Sequence, residues 1–236
     1  MTSCGQILVL ISAGAEWQAL TSLIQPANLG HTPFGEWLST TFANEEILFV
    51  HGGWGKIAAA ASTQYAIDHW KPELLINLGT CGGIAGAVEP GDVLLVERTL
   101  VYDIVEQMGD FDQAIAHYTT ELDLAWIRTD LPAGVRRSLL VSADRDLLPE
   151  DMERLLARYG AVAADWESGA IAWVAAHNQV PCLILRGVTD LVEPGGGEAY
   201  GRPALFASRT ASIMQLLLET LPFFLKKPGA LQPRTL

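Results

Sequence analysis

Short apolar runs that alternate with helix-like segments are the sequence feature that most constrains this fold. Several runs are apolar at consecutive positions, as expected of strands buried on both faces. Alternation of strands and helices favours a largely parallel or mixed sheet with helices on both faces. We therefore predict an α/β fold, with a three-layer α/β/α arrangement around a mixed, mostly parallel sheet. The predicted strands are residues 7–12, 47–51, 74–78, 93–96, 139–142 and 182–185, and the predicted helices are 16–24, 56–70, 150–159, 167–178 and 203–221.

The length and composition predict a single domain. The chain has 236 residues, half of them apolar, which is ample for one core. Neither a repeat nor a linker is evident, so we expect one domain over residues 1–225. Residues 226–236, which begin with Lys-Lys-Pro-Gly, have the composition of a disordered tail. Residues 99–134 are less periodic than the rest and are expected to form a long excursion or a lid.

The charge balance limits the partners of the protein. The formal net charge is −12 and basic residues do not cluster, so neither nucleic acid nor a membrane surface is expected as a partner. Cys4, Cys81 and Cys182 are widely spaced and odd in number, so they predict no disulfide framework and no zinc site. Because no basic region precedes the first apolar run and no apolar run reaches about 18 residues, we expect a soluble, cytoplasmic protein.

Three carboxylates stand where strands and helices meet. Glu167 begins a helix of small residues, whose positive end favours the ionised carboxylate, and Asp190 follows the apolar run at 182–185. Ligands of open α/β sheets bind at the carboxyl ends of strands, so both acids can face one cleft. Glu16 has a similar place after the first strand and is a candidate acceptor for a proton of an attacking water. A structural interpretation stays open, because acids also complement helix dipoles and cap helices.

A glycine-rich segment, Asn77-Leu-Gly-Thr-Cys-Gly-Gly-Ile-Ala-Gly86, follows another predicted strand. Its glycines let the backbone approach a flat ligand or adopt a tight turn. The segment lacks the GxGxxG spacing and no Gly-Lys-Ser or Gly-Lys-Thr follows it, so neither a dinucleotide site nor a P-loop is predicted. A structural turn between a strand and a helix is the alternative.

Five segments in this order resemble the purine nucleoside phosphorylase and nucleosidase superfamily. They are Ala13-Gly-Ala-Glu16, Gly53-Trp-Gly-Lys56, Asn77 to Gly83 with Gly91-Asp-Val93, Trp166-Glu-Ser168, and Arg186-Gly-Val-Thr-Asp190. Each is weak alone, but five in register form a specific pattern. They look most like the nucleosidases that act on 5′-methylthioadenosine and S-adenosylhomocysteine. The resemblance implies the nucleoside phosphorylase-like α/β fold, catalysis without a cofactor or a metal, and a homodimer or a higher homo-oligomer.

The resemblance also implies roles for the three acids. Glu16 would activate the water that attacks the anomeric carbon, Glu167 would hold the ribose 2′ and 3′ hydroxyls, and Asp190 would protonate or hydrogen-bond purine N7. The water, the cationic sugar and the leaving base each need one such group. Further substrate contacts are expected from the surrounding residues, which are Thr80, Cys81, Gly82, Leu147, Asp165, Trp166 and Arg186.

Water is the expected nucleophile. Phosphorylases of the superfamily typically carry an Arg just ahead of the glycine-rich turn, where this chain has Asn77 and Leu78. Neither side chain can make a charge-assisted bidentate contact with phosphate. Lys56 and Arg186 are the only nearby cations on the alignment, and Arg186 is expected to order the ribose-side carboxylates. A phosphorylase or a non-catalytic nucleoside-binding protein of this fold are the alternatives, and a metal hydrolase is disfavoured because no His near these motifs has ligand spacing.

Two departures from the superfamily pattern leave the substrate open. Trp166 stands where the nucleosidases usually have Met beneath the ribose, and its alternative position is in the core. Asp146 replaces the Phe that stacks on adenine, although the backbone of Leu147 stays available to read the base edge. We therefore expect hydrolysis of a purine-type nucleoside similar to methylthioadenosine or adenosylhomocysteine, with futalosine-like nucleosides as another option.

Overall fold

The computed structural model describes residues 6–127 and 130–225, which contain eleven strands, six α-helices and a 3₁₀ helix. The strands are β1 (Ile7–Ile11), β2 (Gly30–His31), β3 (Glu36–Phe42), β4 (Glu45–His51), β5 (Leu74–Ile84), β6 (Val93–Val101), β7 (Thr119–Glu121), β8 (Val135–Ser142), β9 (Ala161–Asp165), β10 (Cys182–Glu193) and β11 (Gly196–Gly197). The helices are α1 (Gly14–Ile24), α2 (Gly55–Trp70), α3 (Phe111–His117), α4 (Pro149–Tyr159), α5 (Ser168–His177) and α6 (Pro203–Thr220), followed by the 3₁₀ helix Leu221–Phe224. Cys4 and the tail predicted at 226–236 lie outside the described residues.

The eleven strands of the described chain join one mixed sheet. β4, β1, β5 and β10 lie side by side in parallel, and β6, β8 and β9 form a second parallel run. The two runs meet in antiparallel pairs twice, at β6–β10 and at β5–β9. Five strands, β5, β10, β6, β8 and β9, therefore form a closed ring. The mixed sheet with long parallel pairings that the sequence predicts is confirmed.

Alternate residues of β1 enter two different cores. Ile7, Val9 and Ile11 pack with α1 and α6. Leu8 and Leu10 pack with α2 and α5. All five side chains are fully buried, so the strand is covered on both faces, which confirms the three layers predicted from the sequence. Among these described helices none is both long enough and apolar enough to cross a bilayer.

Several strands extend beyond their predicted ends. β5 continues through most of the glycine-rich segment to Ile84 because it pairs there with β10 and β9. The turn follows only at Gly86 and leads to β6, so the alternative of a turn between a strand and a helix is wrong. β10 continues to Glu193, and Asp190 lies inside it instead of after it. In the region predicted as an excursion or a lid, β6 runs on to Val101, and α3 leads to β7, which pairs back onto β6. These extensions place site residues on paired strands.

Candidate active site

The carboxyl-terminal parts of β5, β9 and β10 and the start of α1 surround one cleft with a volume of about 690 Å³. This volume is typical of small-molecule sites. Every site residue predicted from the sequence lines the cleft except Arg186. The lining residues among them are Glu16, Thr80, Cys81, Gly82, Leu147, Asp165, Trp166, Glu167 and Asp190. Within residues 6–127 and 130–225, no cluster of His, Cys, Asp or Glu side chains is arranged to hold a metal ion.

Glu16 is held by hydrogen bonds from two elements. It is the third residue of α1, and its Oε2 accepts from the N–H of Ala13 (3.1 Å). Its Oε1 accepts from the backbone N–H (2.6 Å) and from the hydroxyl (2.8 Å) of Thr80 on β5. Since only 2% of its surface is exposed, the carboxylate has little freedom to rotate. A carboxylate fixed in this way can orient a water molecule and accept its proton.

A β-bulge in β10 brings Asp190 to the cleft. Val188 pairs with Cys81 and Asp190 pairs with Gly82, so Thr189 is an extra residue in the strand. Successive residues of a regular strand face opposite sides, whereas Thr189 and Asp190 both line the cleft. The Thr189 hydroxyl lies 2.6 Å from Oδ1 of Asp190 and 3.2 Å from the carbonyl oxygen of Cys81. The bulge therefore supplies both the direction of Asp190 and a hydroxyl that holds it.

Glu167 is the N-cap residue of α5 and is buried. Its Oε1 accepts from the N–H of Gly55 (3.1 Å), and its Oε2 lies 3.9 Å from Nη2 of Arg186. Burial, followed by the charge of Asp165, raises the pKa of Glu167 to about 8. Desolvation therefore opposes the ionised form that the helix terminus is expected to favour.

Arg186 connects three of the acids from a fully buried position. Its Nε lies 2.8 Å from Oδ2 of Asp165, and its Nη2 donates to Oδ1 of Asn77 (2.7 Å). The carboxylates of Glu16 and Glu167 are each 3.9 Å from the guanidinium. Burial alone would lower the pKa of Arg186, but the three acids raise it above its ordinary value. Arg186 is absent from the cleft lining, so the substrate contact predicted for it does not fit this arrangement, whereas the ordering of the ribose-side carboxylates that the sequence also predicts does fit.

Asp165 holds the start of α5. Both of its oxygens accept from the N–H of Ser168 (3.2 and 3.1 Å), and its Oδ1 also accepts from the hydroxyl of Ser142 (2.5 Å). Its Oδ2 pairs with Arg186 and accepts from the Ser168 hydroxyl. Protein donors already surround both oxygens, so Asp165 positions α5 and Arg186; because it also lines the cleft, the substrate contact expected from the sequence stays a prediction.

Trp166 stacks on Trp54, the N-cap residue of α2. The ring centroids are 4.7 Å apart and the planes are inclined by 28°. Both rings line the cleft, and Trp54 is 64% exposed, so the alternative placement of Trp166 in the core is wrong. Sequence reasoning did not identify Trp54 as a site residue, although it lies inside the segment 53–56 that carries the resemblance. Together the two rings form an apolar wall next to Glu167.

Two further loops supply polar groups that the sequence did not single out. The hydroxyl of Tyr200 donates to the carbonyl of Leu147 (2.6 Å). Arg145 pairs with Asp151 (2.6 Å), and Asp146 beside it is exposed. Tyr200 and Arg145 both line the cleft. The Leu147 carbonyl at the predicted base edge therefore already has one hydrogen-bond donor.

The sequence of the chain matches one known protein family over nearly all of its described residues. The sequence matches the model of the family described as the phosphorylase superfamily over residues 7–221. This range includes every strand and α-helix of the described chain. The chain therefore belongs to the phosphorylase superfamily, which confirms the resemblance found in its motifs.

Individual relatives include named nucleosidases. The chain is 27% identical over 196 residues to the 5′-methylthioadenosine/S-adenosylhomocysteine nucleosidase of Listeria monocytogenes serotype 4a, covering 76% of this chain and 84% of that protein. The crystal structure of the nucleosidase of the same name from Neisseria meningitidis, in complex with methylthio-immucillin-A, matches with a TM-score of 0.75 at 21% identity, over 92% of this chain and 99% of that one. A futalosine hydrolase mutant of Helicobacter pylori matches with a TM-score of 0.74 at 17% identity, over 92% of this chain and 98% of that one. These two structures show the same fold.

Proposed function

We propose that this protein is a nucleosidase that hydrolyses the N-glycosidic bond of a purine-type nucleoside, with 5′-methylthioadenosine and S-adenosylhomocysteine as the leading candidates. The observation that carries the proposal is that Glu16, Glu167 and Asp190 converge in one cleft. Three acids match the three requirements of this hydrolysis, which are an oriented water, a stabilised cationic sugar and a protonated leaving base. The names of the Listeria and Neisseria relatives support the same reaction.

In the proposed reaction, the oxygen of a water molecule bonds to the anomeric carbon while the bond from this carbon to the purine breaks. Glu16 accepts a proton from the water, and Asp190 gives a proton to N7, so the base leaves neutral. Glu167 accepts hydrogen bonds from the 2′ and 3′ hydroxyls and stabilises the positive charge of the sugar. The products are the free base and a ribose derivative.

Water is the proposed nucleophile. The two cations that the sequence motifs offer to a phosphate are occupied, and of the two arginines that line the cleft, Arg145 and Arg202, the first pairs with Asp151. Lys56 pairs with Asp103 and lies 3.7 Å from Asp144, and Arg186 is enclosed by its acids. Glu16 lines the cleft whereas Lys56 and Arg186 do not, so a phosphate dianion bound there would face this carboxylate, and like charges repel each other.

An apolar 5′ substituent suits the cleft because the Trp54–Trp166 wall lies next to the carboxylate proposed to hold the ribose. An alkylthio group and an aryl group can both lie against indole rings. The likeness to a futalosine hydrolase structure supports futalosine as a second candidate substrate.

Release of base from a nucleoside panel tests the proposal. Methylthioadenosine, adenosylhomocysteine, adenosine, inosine and futalosine are incubated with the protein in buffer with and without phosphate, and the base and sugar products are identified by chromatography. We expect free base and a free ribose derivative without phosphate, at a rate that a chelator leaves unchanged. Ribose 1-phosphate formed only with phosphate would identify a phosphorylase. Thermal stabilisation by a nucleoside without turnover would identify a binding protein.

We further propose that the protein is a cytoplasmic homo-oligomer. An apolar groove of about 540 Å³ lies between α2 and α5, lined by Ile57 and Trp173 among others, and Ile57 is 85% exposed. Contiguous exposed apolar surface favours association between proteins. Cys81 and Cys182 are free thiols, which suits a reducing compartment. Light scattering coupled to gel filtration measures the mass in solution, and a monomer would contradict the oligomer.

A further inference from the structure

The turn at the start of α2 is tied to acidic side chains on two sides. On one side, the N–H of Gly55 donates to Oε1 of Glu167 (3.1 Å). On the other, the N–H of Lys56 donates to Oδ1 of Asp144 (2.8 Å), and the Lys56 ammonium pairs with Asp103. Asp103 also accepts from the N–H of Asp144 (3.0 Å). Lys56, Asp103 and Asp144 therefore form a closed set of contacts, called here the Lys56 cluster.

Consecutive backbone N–H groups link the Lys56 cluster to the carboxylate of Glu167. The N–H groups of Gly55 and Lys56 belong to adjacent planar peptide units that share the Cα of Gly55, so a displacement of one unit is passed to the next through this single atom. Trp54, which precedes Gly55, stacks on Trp166, which precedes Glu167. A displacement at the Lys56 cluster is therefore transmitted to the carboxylate through the backbone and through the stacked rings.

We propose that Lys56 is a positioning residue that keeps the Gly55 N–H on Glu167 by neutralising Asp103 and Asp144. The inference rests on the sugar-binding role proposed above for Glu167. Without the ammonium, the carboxylates of Asp103 and Asp144 repel each other, and the contact of Asp144 with the Lys56 N–H loosens. Glu167 then loses a backbone donor.

The charged groups around Glu167 decide how this loss is observed. Asp165 from β9 and Glu16 from α1 disfavour its ionised form, while Arg186 from β10 and the Gly55 N–H favour it. Hydrogen bonds to a charged group are among the stronger ones in proteins, so losing one shifts the titration by about one pH unit. At pH values below the midpoint, the ionised fraction of Glu167, and with it kcat/KM, then falls about tenfold.

A ¹³C NMR titration of glutamate-labelled protein measures this effect without a substrate. The Glu167 carboxyl signal is assigned by its absence in Glu167→Gln. In Lys56→Met we expect the titration midpoint of Glu167 to rise by about one unit, and in Lys56→Arg to return toward the wild-type value. Lys71→Met, which changes an exposed lysine at the other end of α2, is the matched control and leaves the midpoint unchanged.

Asp103→Asn separates positioning from simple charge. Removing a negative charge lowers the midpoint of Glu167 by itself, and simple charge predicts the same lowering whether or not Lys56 is present. Positioning predicts that Asp103→Asn relieves the repulsion only where the ammonium is missing, so it should lower the midpoint by about one unit in Lys56→Met and by much less in the wild type. Equal lowering in both backgrounds, or no rise in Lys56→Met, would overturn the proposal. If Lys56→Met does not fold, Lys56→Gln takes its place in both measurements. Failure of the proposed function is seen separately, as an absence of base release by the wild-type protein at any pH.

Discussion

The Nε atom of Arg186 lies 2.8 Å from Oδ2 of Asp165, and both side chains are almost completely removed from solvent. The same guanidinium lies 3.9 Å from Glu16 and 3.9 Å from Glu167. One buried cation therefore lies between the carboxylate proposed to activate water and the carboxylate proposed to hold the sugar. Its removal should affect stability and chemistry together.

Arg186→Met should destabilise the protein by about 3–5 kcal/mol, because it leaves buried acids without their cation. Urea unfolding at neutral pH measures the free energy. Arg209→Met is the matched control: Arg209 pairs with Glu198 at 2.7 Å, but both side chains are about one-third exposed, so a loss below about 1 kcal/mol is expected. If Arg186→Met also lowered the free energy of unfolding by less than about 1 kcal/mol, the role assigned to the ion pairs of Arg186 would be contradicted.

Gly79→Ala should destabilise the protein by about 1–3 kcal/mol through overpacking and should displace Arg186. A Cβ at this position would lie 1.7 Å from Nη1 of Arg186 and 2.8 Å from Oε1 of Glu16. The guanidinium cannot easily move, because its partners surround it. Gly82→Ala on the same strand is the stability control, since its nearest neighbour would be Cγ2 of Val192 at 4.0 Å. Equal melting temperatures for the two variants would show that the close approach is unimportant.

Asp190→Asn and Glu16→Gln should each lower turnover by about 10²–10⁴-fold, the usual contribution of general acid or base catalysis. The protein should still fold, because each substitution keeps the shape of the side chain. Steady-state rates of base release and circular dichroism check the two parts of this prediction. Glu193→Gln changes an exposed carboxylate on the same strand as Asp190 and should leave the rate unchanged. Rates near the wild type in either acid variant would argue against the proposed chemistry.

The rate should rise with pH as Glu167 ionises. Its pKa is raised to about 8 by burial and by Asp165, and the proposed role needs the carboxylate form. We therefore expect kcat/KM to increase through about pH 8 and to level off above it. This rise of kcat/KM with pH should be absent from Glu167→Gln, whose residual rate stays flat in this range. A wild-type profile that is already flat between about pH 6 and pH 9 would be inconsistent with this assignment.

Stability should respond to the same ionisation. Because the pKa of Glu167 in the folded protein lies above its ordinary value, proton binding favours the folded state. That contribution is complete below the ordinary pKa of about 4.5 and is lost as the pH rises through about 8. Glu167→Gln has no proton to lose, so its melting temperature relative to the wild type should increase between about pH 6 and pH 9. A difference that does not change with pH would exclude the burial of this charge as a destabilising factor.

Much of the fold could be predicted because local patterns of apolar residues indicate where its strands and helices lie. The five residues of β1 are apolar and buried on both faces, so their composition alone predicts a central strand. β9, with the sequence Ala-Val-Ala-Ala-Asp, was not predicted, since Ala is depleted in strands. Its conformation comes from pairing with β8 and β5, which lie elsewhere in the chain.

The sequence predicted which residues form the candidate site better than it predicted the role of each residue. Asp165 was expected to contact the substrate, but hydrogen bonds from Ser142 and Ser168 and the pairing with Arg186 occupy its oxygens. Partners that are distant in sequence decide whether an acid is free to bind a ligand. The stacking of Trp54 on Trp166 is of the same kind, because it joins the starts of two helices.

The sequence by itself determined the alternation of strands and helices, the superfamily and the acids that line the cleft. Only the tertiary structure decided that Thr189 forms a bulge that brings Asp190 to the cleft, that Arg186 stays behind it, and that burial raises the pKa of Glu167. The physical reason is that direction, burial and ionisation depend on distances among side chains from several elements. A local pattern specifies which residues a strand or a helix presents, whereas the energy of a buried charge depends on everything packed around it.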